Sequence, residues 1–371
     1  GSSWWTIYMR SFSISPSHYQ KITRISLLLL AFIIVTGAAV RLSGSGLGCS
    51  DWPTCENDQL VAEIDDVHAM VEFVNRVITG FVALAVIIAV LGSLFRTPKR
   101  KDLTYLSIGL VFGVIVQVIV GALVVREHLP PSLVITHFLV SMVLVWNAVE
   151  LDHRSRLPDK ATKSLPLKTL KGLTKLLLTI GAVVIVTGTI VTGSGPHSGA
   201  EKQQILEALE NQGETPAIST LEVEVERLSF DVPDVARIHG ISVMIFLLLT
   251  LRLLFMVKRN SPTLLPNSQN LMAAIIVQAG IGYLQYFTGV PALLVRIHVA
   301  GATLIWVMIL RLYLAVHQPI PEKSKIAAQA LHHKSRIREK RLISSTLQVC
   351  QRFSKKSTKE KSYKNMAKNG L

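Results

Sequence analysis

Charge is scarce in this sequence: only 17% of its 371 residues are Asp, Glu, Lys or Arg, and only three are cysteine. So little charge excludes a disordered chain, whose solubility depends on it. Three cysteines are too few to staple a chain of this length in place of a core. With 23 glycines and 15 prolines the chain is also no collagen. What is abundant is apolar. Half the residues are hydrophobic and the mean hydropathy is +0.43, gathered into long blocks rather than the short core runs of a water-soluble enzyme. A net charge of +15 suits nucleic acid, yet residues 317–371 alone hold 14 Lys/Arg against 3 Asp/Glu. The excess is mostly a tail, so the expected partner is a lipid bilayer and not nucleic acid.

A hydrocarbon core of about 30 Å needs about 20 mostly apolar residues, and only helices and closed barrels leave no backbone group unpaired there. Blocks of that length fall at 23–42, 68–95, 104–125, 132–151, 172–193, 235–257, 270–288 and 293–316. The fold expected is therefore an all-α integral membrane protein with eight transmembrane helices. The first block is not expected to be a cleaved signal, since seven more follow it. The opening GSSWWTIY ahead of Met9 is expected to be an added remnant and carries no weight here.

Basic linkers mark the cytoplasmic side. Segment 96–102 has four Lys/Arg, 152–175 has seven, and 258–269 begins with Lys-Arg; opposite them, 48–67 carries six acids and no Lys/Arg, and 194–234 nine acids against two bases. Both termini are thus expected inside. The organisation expected is a cytoplasmic segment 1–22, a four-helix bundle 23–151, a basic linker 152–175, a second four-helix bundle 176–316 with outer loop 194–234, and a basic cytoplasmic tail 317–371. In the loop, LEVEVERL alternates like a strand and EKQQILEALENQ suits a short surface helix.

The halves repeat. IVTGAAVRLSGSGLG (34–48) echoes IVTGTIVTGSGPHSG (185–199), and VQVIVGALVV (116–125) echoes VQAGIGYLQY (277–286). In each half a His follows the Gln at the same distance, Gln117 to His137 and Gln278 to His298. Four helices per half give both the same orientation, so a pseudo-two-fold axis along the membrane normal is expected.

Ionisable groups inside a membrane helix are costly and point to a partner or a task. His68, Glu72, Asn75 and Arg76 open the second block, His137 lies near the start of the fourth, and Arg237-Ile-His239 and Arg296-Ile-His298 open the sixth and eighth. All begin on the outer face, which puts them at similar shallow depth. Two facing helices each giving one His is the arrangement that clamps heme iron in a four-helix bundle. His239 and His298 form such a pair, with Arg237 and Arg296 placed for anionic propionates. Two His alone do not complete a zinc site. His68, Glu72 and Asn75 share one helix face; Glu72 is either a proton acceptor or half of a structural ion pair with Arg76. Cys49 and Cys55, in the first outer loop, can close a disulfide or act as a redox dithiol.

With TGAAVRLSGSGLGCSDWPTC, the E-F-V-N-R stretch, LPPSLVITHF, RIHG and RIHV in that order, residues 20–318 resemble the heme A synthase family. The resemblance implies an enzyme of the cell membrane, multi-pass with its sites near the outer face, that oxidises a methyl group of heme O to the formyl group of heme A by successive hydroxylations with water as oxygen source. It implies that His239 and His298 ligate a resident heme b, that His137 holds the substrate heme, that Glu72 is the catalytic carboxylate, and that Cys49 and Cys55 are the outer-loop pair. Heme O synthase is the implied heme donor; the electron acceptor is an unidentified membrane carrier, and a homo-oligomer is left open. Many family members have His where this chain has Asn75. Either His68, two turns earlier, replaces it, or the substrate iron has one protein ligand; His68 is the one expected, since HAMVEFVNR reads like the actinobacterial variant. The alternative function is a two-heme membrane cytochrome that passes electrons without modifying heme.

Overall fold

The computed structural model describes residues 13–49, 54–55, 61–62, 65–158, 168–200, 205 and 226–318. They fall in the first of two compact units, residues 1–319; the second, 320–371, lies outside the described residues, as do Cys350 and most of the loop segments read above as a strand and a surface helix.

Eight long helices make up the described chain: α1 (Pro16–Leu42), α2 (Val67–Phe95), α3 (Lys101–Arg126), α4 (Pro131–Ser155), α5 (Lys168–Ser194), α6 (Val232–Asn260), α7 (Leu265–Phe287) and α8 (Ala292–His317). Their starts are written in the sequence. The Ser15 hydroxyl accepts from the His18 amide ahead of α1, and the Asp66 carboxylate accepts from the Ala69 amide ahead of α2 at 2.9 Å, each satisfying a donor the first turn leaves orphaned. Prolines, whose missing N–H costs nothing in a first turn, open α4 and α6.

Each apolar block of the sequence lies in one of these helices. Seven are long and apolar enough to cross a membrane. The helix outside that set is α7, which opens on Pro266, Asn267, Ser268, Gln269 and Asn270 and carries Gln278 and Gln285; these polar residues dilute its apolar stretch.

Contacts close the first four helices into a ring, α1 on α2, α2 on α3, α3 on α4 and α4 on α1, and the last four into another, α5 on α6 through α8 on α5. The rings meet chiefly where α8 packs on α1 and α4. There Trp306 donates its indole N–H to the Met142 carbonyl at 2.9 Å, and buried Asp152 takes Arg156 and Arg311.

The repeat is visible in which positions are buried. Val82, Val86, Ala89 and Ser93 of α2 match Phe246, Thr250, Leu253 and Val257 of α6 in order and spacing, and all eight are buried. Ser107, Leu110 and Val114 of α3 match Ser268, Leu271 and Ile275 of α7 in the same way. The turns repeat too. His128 and Leu129 before α4 take left-handed backbone (φ 60° and 62°), and so do Gly289 and Val290 before α8 (78° and 58°). Leu129 and Val290 close these turns onto the Val124 and Gln285 carbonyls. Left-handed backbone costs a non-glycine residue roughly 1–2 kcal/mol, so this turn is held by its surroundings in both halves.

Candidate heme site

The α2 register set by Asp66 turns Glu72 inward, leaving its residue 5% exposed. Its carboxylate is fully engaged. Oε2 accepts from the Cys49 amide at 3.0 Å, and Oε1 accepts from Arg76 Nε at 3.1 Å and Nη2 at 2.5 Å. Arg76 Nη1 continues to the Thr54 carbonyl at 2.8 Å. A buried carboxylate is tolerated when paired and hydrogen-bonded in this way. Cys49 and Cys55 form a disulfide with Cα atoms 4.4 Å apart, so the pair grips both ends of the disulfide ring. Only glycine fits at position 48, where a Cβ would stand 2.4 Å from the His68 carbonyl. His68 itself is exposed, its Nδ1 3.0 Å from the Ser45 hydroxyl. Asn75, half-buried, has an Oδ1 without a hydrogen-bond partner.

Three histidines share one setting. His137 is the seventh residue of α4, His298 the seventh of α8 and His239 the eighth of α6, which places them about 10 Å along their helices at 1.5 Å per residue. Each ring lies over a glycine of a neighbouring helix: a Cβ would come within 3.3 Å of His137 Cε1 at Gly121, 3.1 Å of His239 Cε1 at Gly188, and 3.2 Å of His298 Cε1 at Gly282. Glutamines brace two of the backbones. Gln117 donates to the His137 carbonyl at 3.1 Å and to Ser141 at 2.8 Å, and Gln278 donates to the His298 carbonyl at 2.7 Å. Thr187 Oγ1 lies 3.1 Å from His239 Nδ1. His239 and His298 lie within electrostatic range of each other.

The two arginines of the R-I-H triplets differ. Arg237 pairs with Asp234 at 3.1 Å with side chains 71% and 63% exposed, a geometry worth little. Arg296 turns to the end of α1, donating Nη2 to the Leu42 carbonyl at 2.8 Å, while its buried Nε has no partner. Sequence reasoning missed Arg41 and His197. Arg41 donates to the His197 carbonyl, and His197 Nε2 meets the Val290 carbonyl at 2.8 Å, tying the first ring to the turn that precedes α8 in the second. The one signal was asymmetry: in the repeat Arg41 stands against Thr192, and His197 against Gly46.

The donor set fits a porphyrin. Among the described residues no group of three His, Cys, Asp or Glu is placed to hold a bare metal ion, but heme iron needs only one or two imidazoles. The Nδ1 atoms of His137 and His298 are buried without a hydrogen-bond partner, and His239 meets Thr187 through Nδ1, so imidazoles that the protein itself leaves largely uncommitted line the site.

A family model described as cytochrome oxidase assembly protein matches residues 20–310. The chain is 29% identical over 115 residues to a heme A synthase of Exiguobacterium sibiricum, covering 31% of this chain and 38% of that protein. It is 26% identical over 115 residues to one of Lysinibacillus sphaericus, covering 31% and 37%, and 28% identical over 121 residues to one of Listeria welshimeri, covering 32% and 39%. The matched stretch thus spans under two fifths of each of these relatives.

Proposed function

Because the chain belongs to the cytochrome oxidase assembly protein family, we propose that it is a heme A synthase. It converts a methyl group of heme O to the formyl group of heme A by successive hydroxylations. Water supplies the oxygen, and four electrons and four protons leave overall, the electrons to a membrane carrier. Heme O synthase is the donor of the substrate. The chain crosses the cell membrane eight times, α7 included, with both termini cytoplasmic and the sites near the outer face. The acidic outer segments and basic linkers support that orientation, as does an α7 buried in the same register as α3.

One observation carries this reading: three imidazoles at matching positions along their helices, each seated on a neighbouring glycine, two of them with a buried Nδ1 that has no partner. His239 and His298 would hold a resident heme b, which supplies one-electron chemistry when bound. His137 holds the substrate heme. Glu72 accepts protons released at the substrate, and Arg76 and the Cys49 amide fix its orientation. Both arginines of the R-I-H triplets are placed for the propionates of the resident heme, with Arg296, whose buried Nε has no partner, the principal cation and Arg237, already paired with exposed Asp234, at most a weak one. Purified protein from cells that make heme O tests this: extracted pigment containing heme B together with heme O or heme A is expected, and heme-free protein overturns it.

The full engagement of Glu72 favours one other reading, a two-heme cytochrome in which this carboxylate only holds the loop. Glu72→Gln separates the two. An enzyme loses most of its heme A yield, whereas a cytochrome keeps its pigment unchanged.

A further inference from the structure

The two rings differ at one place that the repeat makes exact to the residue. In the burial register shared by α2 and α6, where Val82, Val86, Ala89 and Ser93 correspond to Phe246, Thr250, Leu253 and Val257, the residue of α2 that corresponds to His239 is Asn75. The glycine behind His239 is Gly188, and its partner in the repeated IVTG motif is Gly37. At Gly188 a Cβ would press on the His239 ring at 3.1 Å, but at Gly37 a Cβ would meet nothing within 4 Å. At the repeat position where Gly188 carries the His239 ring, the space beside Gly37 is open and the corresponding residue of α2 is Asn75 rather than His.

We propose that the porphyrin of the first ring takes a single axial protein ligand, His137, and that its opposite face, beneath Asn75 and the Gly37 notch, is open to a small exogenous molecule. The inference rests on the function proposed above and assigns the coordination of the substrate iron. Asn75 is a poor substitute ligand, since an amide oxygen binds heme iron far more weakly than imidazole. Its Oδ1, which has no protein partner, is instead a hydrogen-bonding group for whatever occupies the open position. His68 does not fill the place. It lies seven residues nearer the start of α2, about 10 Å along the axis, is exposed, and its Nδ1 meets Ser45. The second ring has His239 and His298 at the corresponding positions, the two residues that would hold a resident heme there.

The test is spectroscopic and uses the full chain purified with its hemes. About half of the iron is expected to be high-spin when oxidised and to bind carbon monoxide when reduced, the other half being low-spin and inert. Asn75→His is expected to abolish the carbon monoxide shift while heme content stays constant. Two low-spin hemes with no carbon monoxide shift in the unaltered protein overturn the inference but leave the proposed function standing; if His68→Ala then creates a shift, His68 is the second ligand. A carbon monoxide shift that survives Asn75→His at full heme content also overturns it. Heme missing from the first ring, seen as pigment unaffected by His137→Ala, overturns both this inference and the substrate site on which it rests.

Discussion

Glu72 and Arg76, one turn apart on α2, form an ion pair at 2.5 Å, and each reaches past the other to a different end of the Cys49–Cys55 ring. The pair is unequal, with side chains 7% exposed for Glu72 and 21% for Arg76. Removing the arginine strands a buried carboxylate; removing the carboxylate leaves a cation that keeps the Thr54 carbonyl and reaches water. Arg76→Ala is therefore expected to be the more damaging, by roughly 3 kcal/mol for an unpaired buried charge. Thermal unfolding of the purified variants measures the order, and a Glu72→Ala protein that melts below Arg76→Ala contradicts it.

The disulfide holds the Cys49 amide against Glu72. Because the ring it closes is short, the unfolded chain loses little freedom, and about 2 kcal/mol is expected from the bond itself. Its greater effect is on Glu72 orientation. The double variant Cys49→Ser, Cys55→Ser is expected to melt a few degrees lower and to make less heme A, with the low-spin heme of His239 and His298 undisturbed in the absorption spectrum.

Much of this was legible in the chain. Apolar blocks of about 20 residues announce helices because a helix pairs every backbone group within its own segment in a bilayer, and the equal Gln–His spacing in each half marks the repeat, whereas the bond from each glutamine to the His carbonyl emerged only from the structure. Other features carried no signal. The Cys49 amide that meets Glu72 is backbone, identical at every residue but proline, so no pattern marks it. Arg237 and Arg296 read alike as R-I-H, yet Asp234 one turn before takes the first while the second finds the Leu42 carbonyl of a helix far away in sequence. The glycines under the rings look like ordinary small residues of packed membrane helices until a side chain is seen to lie on them.

Those glycines give a graded prediction. Gly37→Ala adds a methyl to open space and removes backbone freedom from the unfolded chain, so it is expected to be neutral or to stabilise by up to about 1 kcal/mol. Gly188→Val and Gly282→Val drive branched side chains into the His239 and His298 rings and are expected to lose the low-spin heme. Gly121→Val is expected to lose the heme held by His137 alone. Heme content per chain, with melting temperature as control, reads all four.

The two arginines that precede His239 and His298, the proposed heme ligands, should separate in function. Arg237 is bound only to an exposed aspartate, so Arg237→Ala removes an interaction worth at most about 1 kcal/mol. Arg296 has a buried Nε with no partner and sits two residues before His298; an anionic propionate is the group that would satisfy it. A hydrogen bond to a charged group is worth about 1.5–3 kcal/mol, so Arg296→Ala is expected to weaken retention of the resident heme by at least about ten-fold. Transfer of heme to an excess of apomyoglobin measures the loss. Because Arg296 also caps α1 through Leu42, Arg296→Lys provides the control: it keeps the charge but not the fork, and heme retention between that of the native chain and Arg296→Ala separates propionate binding from helix capping. Equal retention by Arg237→Ala and Arg296→Ala would remove Arg296 from the heme site.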